Sequence, residues 1–131
     1  MKFRIPVIVV AAVLIAAAAY AHHSFAGTSV EGKLVKLEGE VVEFNIRNPH
    51  SFIVIEVTEK DGKKVKWGGE WGGVTQLSQG GVNRFTLEVG DHLIMEGAPP
   101  RDSLDKKILV RKVWRPATKE KEAWEWAGNV R

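Results

Sequence analysis

The feature that most constrains the fold is a long alternation of apolar and polar residues. Residues 33–47 read KLVKLEGEVVEFNIR, and apolar side chains recur at every second position. Such alternation is typical of a β-strand with one buried face. The alternation changes phase between Val41 and Val42, just after Gly39. Because a slip of one residue turns the apolar set to the opposite face, we predict a β-bulge and a bent first strand.

Four more strand-like segments and one helical segment follow. The predicted strands cover residues 33–47, 51–58, 63–67, 92–96 and 107–114. A turn at Asp61-Gly62 joins the second and third strands, and a short helix is predicted around Val74 and Leu77. The order β-β-β-α-β-β with a bent first strand predicts an all-β fold with little helix, the five-stranded Greek-key barrel called the OB-fold. A generic antiparallel barrel or sandwich is the alternative.

The start of the chain has the three parts of a secretory signal peptide over residues 1–21. Lys2 and Arg4 form the charged part, residues 5–18 form the apolar stretch, and Ala19-Tyr20-Ala21 matches the small-x-small cleavage pattern. The apolar stretch is short for a membrane span, which makes an uncleaved anchor the weaker alternative. We therefore predict cleavage after Ala21 and export to the periplasm or the medium.

Export changes how the composition is interpreted. Loss of Lys2 and Arg4 with the signal peptide lowers the net charge from +3 to +1, which removes most of the argument for a nucleic-acid partner. Because the chain has no cysteine, disulfides and thiolate metal sites are excluded. The predicted organisation is a signal peptide at 1–21, an N-terminal segment at 22–32, a barrel at 33–115 and a charged tail at 116–131. Trp124 and Trp126 offer the tail a way to dock, and its state is left open.

Four short motifs follow one another along the predicted mature chain. They are H-H-S-F-A at residues 22–26, N-P-H at 48–50, W-x-x-E at 67–70 and G-x-P-x-R-D at 97–102, the last with one extra residue. In this order and spacing they resemble a family of small exported bacterial proteins of unknown function. That family usually continues the first motif with Met-Phe-Asp, where this chain has Gly27-Thr28-Ser29. The resemblance extends to about Val113 and implies no established activity.

The first motif suggests a metal site. Cleavage after Ala21 would make His22 the N-terminal residue, whose α-amino and ring nitrogens can chelate one ion. Amine and imidazole nitrogens in a tetragonal arrangement suit Cu(II), whereas structural zinc needs a closed tetrahedral set. His50 follows a turn and can project from the barrel. We hypothesise that His22, His23 and His50 bind one ion, with copper preferred. Cleavage after Ala26 instead would remove His22 and His23.

A structural interpretation of the same histidines stays open. His22 and His23 would then be a polar chain start, and His50 a turn residue bonded to the backbone or a member of a different ligand site. His92 is predicted to point outward from its strand. Met95 is predicted to lie in the core, which is more common for such a methionine than binding copper.

A second candidate site consists of Trp67, Glu70, Trp71 and Arg101. Aromatic residues near the third strand of an OB-like barrel lie where such barrels meet ligands. The two tryptophan rings would stack on sugar rings or bases, Glu70 would accept a hydrogen bond, and Arg101 would contact the ligand. Alternatively, Trp67 fills the core, Trp71 caps its end, and Arg101 with Asp102 forms a salt-bridged turn.

Enzymatic chemistry has little support in the sequence. The chain lacks a serine elbow motif, has no cysteine and has no carboxylate pair at a defined spacing. Its clustered glycines at 68, 69, 72 and 73 lack the lysine and the strand-loop-helix frame of a phosphate loop. We predict a small exported binding protein for a metal ion, for a small ligand or for a periplasmic partner. A metal-free ligand- or protein-binding module is the alternative, and a copper-dependent oxidoreductase ranks third.

Overall fold

A computed structural model describes residues 34–99 and 105–128 of the chain. The predictions for the signal peptide, for His22 and His23, and for Arg101 lie outside these residues. The elements are β1 (Val35–Asn45), β2 (Phe52–Thr58), β3 (Lys64–Glu70), α1 (Val74–Gln79), β4 (His92–Ala98), β5 (Lys107–Arg115) and β6 (Trp124–Ala127). The predicted order β-β-β-α-β-β is confirmed, and a further strand follows it. No helix in the described ranges is long and apolar enough to cross a membrane.

Five of the strands close into a barrel. The hydrogen-bonded order is β3-β2-β1-β4-β5, and β3 returns to β5 through the pairing of residues 68–70 with residues 107–109. This closing contact is parallel, whereas the other pairings of the described strands are antiparallel. A closed five-stranded barrel with one helix between β3 and β4 confirms the predicted OB-like Greek-key fold.

β1 bends where the sequence pattern changes phase. Its register against β2 shifts between Val41 and Glu43, so Val42 is the extra residue of the predicted bulge. The first half of β1 pairs with β4 and the second half with β2. Gly39 lies at the bend, and a Cβ atom there would collide with the backbone carbonyl of Glu56. Glycine therefore allows the backbones of β1 and β2 to approach at the point where β1 changes its pairing from β4 to β2.

The core fills the inside of the barrel and extends under α1. Met95 is completely buried, as predicted, and His92 points outward, also as predicted. The buried apolar residues are Leu37, Val41, Ile53, Ile55, Trp71, Leu77, Val82, Leu87, Leu93, Met95, Ile108, Val110, Val113 and Trp126. Those that belong to strands lie mostly at alternate positions, which is why the alternation in the sequence identifies the barrel, whereas Trp71, Leu77, Val82 and Leu87 come from the segment between β3 and β4.

The charged tail folds back as β6. It pairs with residues 112–115 of β5, on the same side of β5 that β3 uses at residues 107–109. Trp126 is 8% exposed, and its ring meets Trp71 edge to face with 5.0 Å between the ring centroids. The tail therefore covers the core next to residues 112–115 of β5, where β3 no longer pairs with that strand. The sheet thus extends past residue 115.

An ionic cluster around the buried carboxylate of Asp91 fastens the tail to the loop before β4. The carboxylate of Asp91 accepts a hydrogen bond from Lys121 at 2.6 Å and pairs with Arg115 at 3.3 Å, while Lys121 also bonds Glu88 at 2.6 Å. Burial alone would raise the pKa of Asp91, but the hydrogen bonds from Lys121 and the backbone, with the two positive charges, lower it overall. The hydrogen bond to Asp91, and then that to Glu88, raises the pKa of Lys121. Asp91 and Lys121 are therefore both charged at neutral pH.

Candidate functional site

One buried side chain builds the turn between β1 and β2. Ser51 has no exposed surface, and its Oγ accepts the N–H of Arg47 at 3.1 Å and donates to the carbonyl of Arg47 at 3.2 Å. The N–H of Ser51 donates to the carbonyl of Gly72, and its carbonyl accepts the N–H of Trp71. The turn is therefore fixed against the segment that follows β3.

The N-P-H motif also positions the helix. Oδ1 of Asn48 accepts the N–H of Val74, the first residue of α1, at 2.9 Å. The N-cap residue of this helix is Gly73, which has no side chain to satisfy that donor. The peptide bond between Asn48 and Pro49 is cis. Asn48 therefore caps the helix in place of Gly73, although it precedes Val74 by 26 residues. The turn that contains Asn48 also contains His50.

His50 and Glu70 lie side by side, although the sequence assigned them to two separate candidate sites. Nδ1 of His50 is 3.7 Å from Oε1 of Glu70, which is too long for a hydrogen bond. This nitrogen is shielded from solvent and has no hydrogen-bond partner within residues 34–99 and 105–128. The His50 side chain as a whole is 39% exposed, so part of its ring is open to solvent.

The register of the sheet explains this proximity. Glu70 pairs with Phe52 across β3 and β2, and His50 precedes Phe52 by two residues. On its other side, Phe52 pairs with Asn45 of β1. The guanidinium carbon of Arg47 lies 4.9 Å from the centroid of the Phe52 ring, a cation–π contact. A basic, an aromatic and an acidic side chain therefore form one patch beside His50.

The donor atoms of this pair fit part of a metal site. Two ligands of one ion, each about 2.0–2.2 Å from it, lie within roughly 4 Å of each other, so a 3.7 Å separation is compatible with a shared ion. In the other arrangement, Nε2 is the ligand, and Glu70 would orient the Nδ1–H of His50 once the two atoms approached to hydrogen-bond distance. Within the described part of the chain, no group of three or more His, Cys, Asp or Glu residues could hold a metal. Further ligands would have to come from residues beyond it.

Trp71, one of the two predicted stacking residues, lies at the centre of the core. It has no exposed surface. Its ring packs against Trp126 and lies 6.3 Å from the ring of Phe44, measured between centroids. Its Nε1 has no hydrogen-bond partner among the described residues. In this structure Trp71 joins the tail to the barrel and offers no face to a ligand.

Trp67, the other predicted stacking residue, is half-buried against the core. Nζ of Lys106 lies 5.3 Å from the centroid of its ring. Because side chains alternate along a strand, Trp67 points to the opposite side of β3 from Glu70. The structure therefore brings Glu70 together with His50 and not with the tryptophans.

The sequence motifs did not single out Arg47 and Phe52. Arg47 immediately precedes the N-P-H motif, and Phe52 is the second residue after it. An arginine and an aromatic residue at the facing ends of two consecutive strands is a usable signal for a stacked pair. The contact itself depends on the turn that Ser51 holds.

A family model described as "Family of unknown function (DUF6152)" matches residues 10–109 of the chain. The match includes β1 to β4, the turn with His50 and the first three residues of β5. β6 lies outside the matched residues. No curated protein and no solved structure matches the chain.

Proposed function

We propose that this chain, which belongs to the DUF6152 family of unknown function, is an exported OB-like binding protein that holds Cu(II) with His50 as one ligand. The observation that carries the proposal is the setting of the His50 ring. Its Nδ1 is shielded from solvent and lies 3.7 Å from the carboxylate of Glu70, while 39% of the side chain is exposed. A histidine that ligates a metal commonly has a carboxylate behind its second ring nitrogen.

The expected N-terminus supplies the remaining donors. An N-terminal His22 brings an α-amino nitrogen and a ring nitrogen, and His23 brings another imidazole. With the imidazole of His50 this gives nitrogen donors of the kind that Cu(II) prefers. The N-terminal histidines alone would form a weak chelate on a polar chain start, and the barrel adds a fixed imidazole.

The chain before β1 is long enough to reach His50. Leu34 and His50 lie at opposite ends of β1, whose eleven residues measure about 36 Å when extended. Residues 22–33 can span at most about 40 Å, and the bulge in β1 shortens the distance that they must cover. Residues 22–33 therefore have the length that the proposal needs.

Intact mass and copper titration of the secreted protein test the proposal. We expect a mature start at His22 and one tightly bound Cu(II) per chain. A form made to start at Gly27 is the matched control, because it keeps the whole barrel and loses only five residues. We expect it to bind Cu(II) at least about tenfold more weakly. A natural start at Gly27, or equal affinities of the two forms, would overturn the proposal.

A metal-free ligand-binding module is the second candidate, and the stacking of Arg47 on Phe52 favours it. The face of strands two and three is where OB-folds bind oligonucleotides and oligosaccharides. Calorimetric titration with a panel of both, in the presence of a chelator, tests this candidate. We expect saturable binding that Phe52→Ala abolishes and Trp67→Ala leaves largely intact. If no member of the panel binds, this candidate is removed.

A further inference from the structure

The loop between α1 and β4 presents two large apolar side chains to solvent. Phe85 is 73% exposed and Val89 is 71% exposed, whereas the next most exposed large apolar residue in the described ranges, Leu34, is 50% exposed. Single exposed apolar residues are normal on protein surfaces. The way in which this loop is held makes these two residues different.

Hydrogen bonds fix the first half of the loop. Oδ1 of Asn83 accepts the N–H of Phe85 at 2.8 Å, and Asn83 and Thr86 bond each other through N–H···Oγ1 and N–H···O=C contacts. The guanidinium of Arg115 donates to the carbonyl of Thr86 at 2.9 Å. Leu87 is buried and anchors the loop in the core. The backbone that exposes Phe85 is therefore well fixed.

The second half of the loop is fixed just as firmly. The N–H of Glu88 donates to the carboxylate of Asp91 at 2.9 Å, and the N–H of Gly90 donates to the carbonyl of Val41 in the bulge of β1. Val89 lies between these two bonded residues. The hydrogen bonds of the loop therefore hold both apolar side chains outward, on a surface that the fold itself does not cover.

The charges of the loop suit an anionic surface. The guanidinium carbon of Arg84 lies 4.6 Å from the centroid of the Phe85 ring. Glu88 is the one acidic residue between Gly80 and Asp91, and Lys121 neutralises it at 2.6 Å. The loop tip therefore combines an aromatic ring, an aliphatic side chain and an uncompensated cation.

We propose that residues 84–89 dock this protein on an anionic lipid bilayer. Phe85 and Val89 enter the interfacial layer, and Arg84 pairs with lipid phosphates; aromatic and basic residues favour this region. A stable protein interface buries at least about 1,000 Å², and two side chains of this size supply only roughly 300 Å². Shallow insertion into lipid has no such minimum area. This contact is independent of copper and goes beyond the expected membrane contact of the signal peptide.

Vesicle flotation tests the docking. The probes are vesicles of phosphatidylcholine alone and of phosphatidylcholine with phosphatidylglycerol, at low and at physiological salt. We expect the processed protein to float with the anionic vesicles. The double variant Phe85→Ser/Val89→Ser should reduce the partition coefficient at least about tenfold. Arg84→Gln should reduce it about fivefold and weaken its salt dependence.

Leu34→Ser is the matched control, since it removes an exposed apolar residue elsewhere and should leave flotation unchanged. All forms are compared at the same N-terminus, verified by intact mass, because a retained apolar leader would itself bind vesicles. Thermal unfolding verifies that each variant is folded. Absence of wild-type binding at low salt, or unchanged binding by the double variant, would overturn the proposal. A mass in light scattering that rises with concentration and depends on Phe85 would also overturn it, because the loop would then join two copies of the chain.

Discussion

Two polar clusters of this molecule differ in how completely their groups are bonded. The carboxylate of Asp91 is buried and bonded to Lys121 at 2.6 Å and to Arg115 at 3.3 Å. By contrast, Nδ1 of His50 is shielded from solvent but lies 3.7 Å from Glu70 without a hydrogen bond. Both oxygens of the Asp91 carboxylate are bonded, although Nε of Arg115 beside it has no partner among the described residues. A carboxylate bonded in this way stabilises the fold, whereas the unbonded Nδ1 of His50 keeps capacity for a ligand.

A second histidine–glutamate pair shows that such a pair can close on this barrel. His92 of β4 and Glu38 of β1 are bonded at 2.6 Å on the exposed outer face. Both belong to adjacent paired strands, whereas His50 belongs to a turn that Ser51 holds in place. The hydrogen-bonded pair of His92 and Glu38, the closed pair, is therefore a matched reference for the unbonded pair of His50 and Glu70, the open pair.

The largest expected effect is on stability at the closed cluster. Asp91→Ala leaves Lys121 and Arg115 without their buried partner, and we expect the free energy of unfolding to fall by about 3–4 kcal/mol. Urea unfolding measures this change. Glu38→Ala is the control, and because that pair is exposed it should cost at most about 0.5 kcal/mol. A loss below about 1 kcal/mol for Asp91→Ala would contradict the stabilising role of the cluster.

Protonation of Asp91 at low pH should lower the free energy of unfolding by less than Asp91→Ala does, since it removes the charge but keeps the side chain. The folded state lowers the pKa of Asp91, so its contribution is complete above about pH 5 and disappears as the pH falls through the lowered value. The raised pKa of Lys121 gives a contribution that is complete below about pH 10 and is lost above the raised value. Unfolding curves against pH should therefore show a shallower acid limb for Asp91→Asn. Identical acid limbs for the wild type and Asp91→Asn would show that the charge of Asp91 does not contribute to the pH dependence of stability.

At the open site, stability depends on the turn and not on the ion pair. Ser51→Ala should lower the free energy of unfolding by about 1–2 kcal/mol, because it removes two partly buried hydrogen bonds to the backbone of Arg47. Ser78→Ala is the matched control: its Oγ also donates to a carbonyl, that of Val74, but it is exposed. We expect a change within about 0.5 kcal/mol there. Equal losses of unfolding free energy for Ser51→Ala and Ser78→Ala would show that the burial of Ser51 does not strengthen the contribution of its hydrogen bonds.

The smallest expected change in stability is at the open pair itself. Glu70→Gln should alter the free energy of unfolding of the metal-free protein by at most about 0.5 kcal/mol, since the pair is partly exposed and not bonded. The same variant should weaken Cu(II) binding about 10- to 100-fold. Glu38→Gln should leave copper affinity unchanged. A large loss of stability with unchanged affinity would reverse the roles assigned to the two clusters.

The sequence predicted most of the barrel because its signals are local. The phase change at Val41 and Val42 identified the bulge, and the turn signals separated the strands. β6 was left open because Trp124 and Trp126 lie in a charged tail after a proline, although their own alternation with Glu125 and Ala127 is a strand pattern.

The candidate site was only half predictable for a different reason. The motifs identified His50 and Glu70 separately, but their proximity depends on the pairing of β2 with β3, which fixes Glu70 opposite Phe52. The Asp91 cluster joins residues 24 and 30 positions apart. No spacing rule in a single sequence identifies such partners, since the pairing of β5 with β4 and with β6 brings them together.

The most direct test of the central claim is a copper titration of His50→Ala beside His92→Ala, both with a mature start at His22. The two variants remove the same side chain from two histidine–glutamate pairs that differ in geometry. If His50 is a ligand, His50→Ala should weaken Cu(II) binding at least about tenfold, and His92→Ala should leave the affinity unchanged. Equal affinities for both variants and the wild type would contradict a copper site at His50.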